Sequence, residues 1–192
     1  MPTKQLPNIS PLVYDYFYAF DKVDEYYNGN FRNLTAIQKV AEEVKSRDLK
    51  REDVASVLEE QNKNYGCGTE TLSNIQKLGQ ADVCAVVTGQ QVGLFSGPLY
   101  TIHKSLTAIK LAEYLNQKCA GGFVPVFWLA SDDHDLAEID HIKLLNKDSN
   151  IEKIHYQAQV PNSKIPASKI LFDSDISRSI HCLEDLTHDS EF

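Results

Sequence analysis

The chain has 192 residues, 42% hydrophobic and 24% charged, with a formal net charge of -8 and a pI near 5.2. That is the composition of an ordinary soluble globular protein, one domain or a domain plus a lobe, and its acidity and scattered Lys and Arg exclude a nucleic-acid binder, which needs a basic face. No apolar run approaches the roughly 18 residues of a membrane span, and MPTKQLPNIS lacks the apolar core of a signal peptide. Cys67, Cys84, Cys119 and Cys182 form no C-x-x-C pair and read as reduced thiols in a cytoplasm.

Taken in order, residues 1–11 carry three prolines and read as an extended arm. Leu12 to Tyr27 is aromatic-rich, with Leu12/Val13, Tyr16/Phe17 and Phe20 at helical spacing, and is expected to be a helix pinned to the core by its rings. Gly29 marks a turn. Leu34–Val44 and Arg51–Asn64 are amphipathic helices, and Glu59/Glu60 in the second is solvated surface. Thr69 is expected to cap a further helix carrying Leu72, Ile75 and Leu78, which Gly79 ends in the left-handed conformation. Residues 1–80 thus read as an N-terminal helical lobe.

The stretch from Val83 to His141 organises the rest. VCAVV (83–87) is a short apolar run, TGQQVGLFSGP (88–98) a turn, and 99–118 has helical spacing. FVPVFWLA (123–130) is a second apolar run, followed at once by SDDHDLAEIDH (131–141). Strand, helix and strand with continuous apolar strands predict an α/β unit with a right-handed crossover and a parallel pair buried on both faces. Both polar turns then lie at the carboxyl ends of neighbouring strands, the edge where open α/β sheets bind ligands. Beyond it, 142–145 and 151–160 read as strands around a turn at 147–150, 161–166 as a loop, 168–172 as a strand, and Asp175 as the cap of a helix through Leu186. These segments supply no further parallel strands, so the sequence is expected to be part of a longer protein.

Two turns can carry chemistry. In the first, Gly89, Gly93 and Gly97 allow tight folding and close approach to a ligand, and Pro98 suits the first helical position. The following helix N-terminus offers unpaired N–H groups to an anion, with Gln90 and Gln91 as neutral partners and His103 and Lys104 further along. It is neither a Walker loop nor a G-x-G-x-x-G fingerprint, and a glycine-rich turn without a ligand is the plain alternative. In the second turn, Asp132, Asp133, His134 and Asp135 follow the strand directly, with Glu138 and His141 at helical spacing from His134. These residues fit a divalent metal site, acid/base work by His134 against a carboxylate, or recognition of an amine or hydroxyl by carboxylates. An Asp-rich helix N-terminus without function is the fourth reading. His155, His181 and His188 lack context and read as surface.

TGQQVGLFSGPLYTIHKSLTAIKLAE (88–113) and PVFWLASDDHDLAEIDH (125–141) closely resemble the paired signatures of the bacillithiol-biosynthesis cysteine-adding enzyme family. The resemblance implies an α/β fold: a Rossmann-like parallel sheet core with an N-terminal helical lobe and a partial inserted α+β segment. Residues 81–145 would be the first half of the core and 146–192 the start of the insert. It further implies a ligase that joins cysteine to glucosaminyl-malate in a bacterial cytoplasm. A coiled coil beyond this stretch would make a homodimer, and neither nucleic acid nor membrane would be a partner. It makes His134, Asp133, Asp135 and His103 the catalytic candidates, and no metal is expected. Thr88, Gly89, Gln90, Gln91, Gly93, Gly97, Tyr100, Lys104, Ser131 and Asp132 are the candidates for binding substrate or nucleotide. Cofactor use is left open, with ATP or another nucleotide as the activating group to consider. The core also resembles class I aminoacyl-tRNA synthetases. His103 matches the last histidine of their signature, but Tyr100 replaces its first histidine and Ile102 its glycine. Asp132 stands where the family often has Glu. The competing readings are a metal-dependent hydrolase built on the Asp/His cluster and a non-catalytic binding or assembly module.

Overall fold

The structure, a computed structural model, describes residues 9–133, 135–158 and 165–187. The chain divides into two units, Met1–Cys84 with Leu115–Val124, and Ala85–Tyr114 with Pro125–Phe192. Among the described residues no helix is long and apolar enough to cross a membrane, and the four cysteines are free.

The first unit opens with α1 (Pro11–Tyr18), whose N-terminus is capped by Ser10, and continues through α2 (Leu34–Lys45), α3 (Arg51–Asn64) and α4 (Thr69–Leu78). The Asn33 side chain caps α2, accepting from Thr35 N at 3.0 Å and Ala36 N at 3.3 Å. The aromatic helix stops at Tyr18, earlier than the sequence predicts, because Ala19 leaves the helical region at φ -145°. Its rings pack on one another instead of filling a core. Tyr16 stacks on Phe31 with centroids 4.7 Å apart and lies 4.8 Å from Tyr27. Arg32 holds this cluster, donating to the Phe17 carbonyl at 2.6 Å with its guanidinium over the Phe31 ring. Gly68, not Thr69, is the cap position of α4, and Gly79 is right-handed at φ -66°. Its missing Cβ leaves room for Ala55 of α3, 3.7 Å from where that carbon would sit.

β1 (Val83–Gln91) and β2 (Gly122–Ala130) form a parallel two-stranded sheet, joined by α5 (Leu99–Lys118). β1 runs four residues beyond the apolar run, so Thr88 to Gln91 are strand. Within the first unit, the starts of these strands are tied to the helices. Arg51 Nη1 donates to the Val83 carbonyl at 2.8 Å, and Lys45 Nζ to that of Ala120 at 3.0 Å. Asn116 closes the return from α5 by bonding both backbone groups of Phe123, at 2.7 and 2.8 Å. Val23, Ala41, Ile75, Val83, Cys84, Leu115, Phe123 and Val124 are buried here. Burial pushes the Cys84 thiol up from its ordinary pKa.

In the second unit, α6 (Leu136–Ile139) leads into an antiparallel hairpin of β3 (His141–Leu145) and β4 (Ile151–His155), with α7 (Ile176–Thr187) after it. Asn146 builds the hairpin turn, its Oδ1 accepting from Asp148 N at 3.0 Å and Asn150 N at 2.9 Å. Leu94, Ala108, Ala112, Ile142, Ile154 and Tyr156 are its buried apolar residues. β4 ends at His155, short of the predicted 160, and residues 159–164 lie outside the described residues. Ser168 to Phe172 is not a strand. A 3-10 turn occupies Ala167–Lys169, and the Ala167 and Ser168 N–H groups go to the carbonyls of Asp133 and Ser131, at 2.8 and 3.0 Å. The expectation of two buried sheet faces is also corrected, since Val87, Trp128 and Leu129 are exposed.

Burial sets a stability contrast. Leu115 is 3% exposed and Trp128 66% exposed. In urea unfolding, Leu115→Ala is expected to cost about 2–5 kcal/mol, and Trp128→Ala less than about 1 kcal/mol despite the larger side chain. The thiols give a second contrast. With its thiolate disfavoured and its sulfur buried, Cys84 is expected to resist iodoacetamide in the native protein while exposed Cys182 alkylates, as read by peptide mass spectrometry.

Candidate functional site

The carboxyl ends of β1 and β2 bring the two polar turns together. Gly89 permits this. A Cβ there would lie 2.7 Å from the Trp128 carbonyl oxygen and 2.8 Å from its Cβ, closer than real Cβ atoms come. The next two residues reach outward from that contact. Gln91 Nε2 donates to Asp133 Oδ2 at 2.5 Å, linking the end of β1 to the acidic turn. Gln90 Oε1 accepts from Lys104 Nζ at 3.0 Å, and Gln90 Nε2 donates to the Tyr100 hydroxyl at 3.2 Å and to Gln91 Oε1 at 3.4 Å.

These bonds fix both amide orientations. An ammonium only donates, so it must face the Gln90 oxygen, which turns the Gln90 nitrogen to Tyr100 and Gln91. A carboxylate only accepts, so the Gln91 nitrogen must face Asp133. The result is a chain with a cation at one end and an anion at the other, in which every amide dipole points the same way and reinforces its neighbours. The Tyr100 hydroxyl accepts within this chain and keeps its own hydrogen for another partner.

Gln90, Gln91, Gly93, Pro98 and Tyr100 line one part of a cleft of about 370 Å³, and Ala137, Glu138, Ile139 and His141 line the rest. That volume is in the range of small-molecule sites. Between β1 and α5 the backbone is strained: Phe95, Ser96 and Gly97 have φ of 49°, 72° and 69° in succession. Gly93 folds back on this turn, since a Cβ on it would sit 2.9 Å from Gly97 Cα. Pro98 precedes the first residue of α5 and is not its first helical residue. Within the first turn of α5, the Thr101 hydroxyl is buried with no hydrogen-bond partner among the described residues.

The predicted residues are distributed as follows. Gln90, Gln91, Tyr100, Lys104 and Asp133 share one network, and Gly89, Gly93 and Gly97 shape the turn beside it. Thr88 and Ser131 are half-buried next to it. Asp132 and Asp135 are exposed, and Asp135 N donates to Asp133 Oδ1 at 3.1 Å. His103 is exposed on α5 and does not line the cleft. His134 lies outside the described residues. Among those described, no group of three or more His, Cys, Asp and Glu is placed to hold a metal.

The sequence signals nothing of Asp140 or of its pairing with two histidines. Asp140 Oδ1 lies 2.8 Å from His141 Nδ1 and Oδ2 2.9 Å from His155 Nε2. His155 is exposed, as expected, and is the register partner of His141 across the hairpin. A turn at 147–150 would set His141 opposite Tyr156; the observed loop is one residue longer, 146–150, and it is this that sets His141 opposite His155.

The family described as "Bacillithiol biosynthesis BshC, N-terminal Rossmann-like domain" matches residues 1–192. Among similar proteins, one named "Putative cysteine ligase BshC" from Salinibacter ruber is 33% identical over 191 residues, covering 100% of this chain and 35% of that protein. The protein of the same name from Chloroherpeton thalassium is 40% identical over 135 residues, covering 70% of this chain and 24% of its own. A third, from Geobacillus sp., is 31% identical over 167 residues, covering 87% of this chain and 30% of its own. The chain thus spans about a third or less of the length of these relatives.

The Gly89 contact yields a direct test. Gly89→Ala must push β1 from β2, and chemical denaturation is expected to show a loss of about 1–3 kcal/mol. A variant as stable as the parent would mean that the strands do not approach as described.

Proposed function

The chain belongs to the BshC family of bacillithiol biosynthesis as its N-terminal Rossmann-like domain, and on that premise we propose that its cleft serves a ligase joining the carboxyl of cysteine to the amine of glucosaminyl-malate. What supports the reading is the Lys104–Gln90–Gln91–Asp133 chain, which ties the two signature turns together beside a cleft of small-molecule size. Lys104 and the N-terminus of α5 would take the malate carboxylates or another anionic group. Asp133 and Asp135, with Asp132, would take the ammonium or the sugar hydroxyls. Thr88, Gly89, Gly93, Gly97 and Ser131 would shape the two turns around the substrate, and Tyr100 would offer its free hydroxyl hydrogen. His134 is proposed as a proton carrier on its place between Asp133 and Asp135 in sequence. The catalytic assignment of His103 rests on the likeness to the synthetase signature alone.

An activating nucleotide, ATP or another, would meet the α5 N-terminus and Lys104 here, and its phosphates would have no Walker loop to sit in. The proposed division is a helical lobe at 1–80, the first half of the core at 81–145 and the start of an insert at 146–192. The whole protein is proposed to act in the cytoplasm, as a homodimer joined through a coiled coil, on small molecules only.

The test is cysteine transfer to glucosaminyl-malate by the full-length protein, followed by mass spectrometry. Lys104→Met removes one charge-assisted hydrogen bond of roughly 1.5–3 kcal/mol, so affinity for glucosaminyl-malate is expected to fall about tenfold to a hundredfold. Absence of transfer by the unmutated protein would defeat the ligase reading. Unchanged affinity in Lys104→Met would defeat only the anion role.

A further inference from the structure

Asp140 holds two histidines at once, and the hairpin makes this possible. His141 and His155 are opposite each other on β3 and β4. The Asp140 carbonyl accepts from Tyr156 N at 2.9 Å, and Ser179 Oγ of α7 donates to the His155 carbonyl at 3.1 Å. The backbone on both sides of the carboxylate is therefore fixed. Its two oxygens divide between the rings, at 2.8 Å from His141 Nδ1 and 2.9 Å from His155 Nε2.

This assigns the chemistry of His141. A carboxylate only accepts, so in the neutral ring the proton sits on Nδ1 and Nε2 is left as an acceptor. His141 lines the cleft, as does Glu138, while Gln90, Gln91 and Tyr100 line it from β1 and α5. Among the described residues, ionisable groups beside His141 include Asp140 next to it in the chain, Glu138 on α6 and His155 on β4. The cleft thus has one wall of neutral donors and acceptors, and another with an oriented imidazole and a carboxylate.

We propose that His141 is the proton acceptor for a primary amine bound in this cleft, with Asp140 as its positioning residue. The inference rests on the ligase reading and names the group of the substrate that this wall receives. One N–H bond of the bound ammonium breaks, its electron pair stays on nitrogen, and the proton bonds to His141 Nε2. The imidazolium so formed faces the Asp140 carboxylate, and the amine holds the lone pair that it needs to attack an acyl carbon. Glu138 supplies a carboxylate that attracts the same ammonium to this wall.

The experiment is steady-state kinetics of cysteine transfer to glucosaminyl-malate with the full-length protein. His141→Gln is expected to lower kcat by about a hundredfold to ten-thousandfold while KM stays within about threefold, and added imidazole is expected to restore part of the turnover. Asp140→Asn is expected to lower kcat about tenfold or more at constant KM. His181→Gln, exposed on α7, is the control and keeps full turnover. A His141→Gln protein with unchanged kcat overturns the proposal, as does a loss felt only in KM, or one found only in His134→Ala. If His141→Gln does not melt cooperatively, Asp140→Asn decides on the same readouts. An unmutated protein that transfers no cysteine defeats the ligase reading instead, so the two failures are distinguishable.

Discussion

At their carboxyl ends β1 and β2 run so close that only a hydrogen fits at position 89. The Trp128 carbonyl oxygen would be 2.7 Å from any Cβ placed there. Because side chains alternate along a strand and the pair is parallel, this contact sets where Gln90 and Gln91 emerge relative to the end of β2. It thereby sets the reach of Gln91 to Asp133 and of Gln90 to Lys104. The acidic turn is held from the other side too, by the N–H groups of Ala167 and Ser168. A turn with three aspartates needs such anchors, since its own carboxylates repel one another.

How much of this could be read from sequence depends on the range of the interactions involved. α2, α3 and α5 follow from apolar spacing within one element, and their observed limits lie within a residue or so of the predicted ones. The acidic turn was legible for the same reason, as a contiguous run after an apolar strand; the glycine-rich turn was legible only in part, since Thr88–Gln91 continues β1. Failures came where a distant partner decides. The aromatic helix ends at Tyr18 because Tyr27 and Phe31 offer its rings a better surface than a longer helix would. Gly79 answers to Ala55, not to a left-handed cap. Residues 168–172 have strand composition, yet the backbone at 167–168 bonds to the acidic turn. Asp140, His141 and His155 escaped because 14 positions separate the histidines and only hairpin register unites them.

Backbone strain is concentrated in the turn between β1 and α5, beside the cleft. Left-handed backbone costs roughly 1–2 kcal/mol at a non-glycine residue, and Phe95 and Ser96 both adopt it immediately before Gly97. Buried Leu94 precedes them and buried Thr101 follows, so the turn is clamped at each end. The Thr101 hydroxyl adds a further cost, being buried without a partner among the described residues. An arrangement selected for stability alone would place glycine at 95 or 96 and an apolar residue at 101. The sequence instead maintains a rigid, unfavourable turn where the walls of the cleft begin.

The distribution of charge around the cleft gives that rigidity a use. Lys104 stands at one end of the amide chain, and Asp133 at the other. Glu138 and the Asp140-held His141 occupy a separate part of the wall. A small molecule bearing only carboxylates would be drawn to Lys104 and repelled by the rest of an acidic protein of net charge -8. One bearing only an ammonium would find several carboxylates and no single orientation. A molecule with carboxylates at one end and an amine at the other would be held by both ends, its carboxylates toward Lys104 and its amine toward the carboxylates. Glucosaminyl-malate, the substrate proposed above, has that polarity.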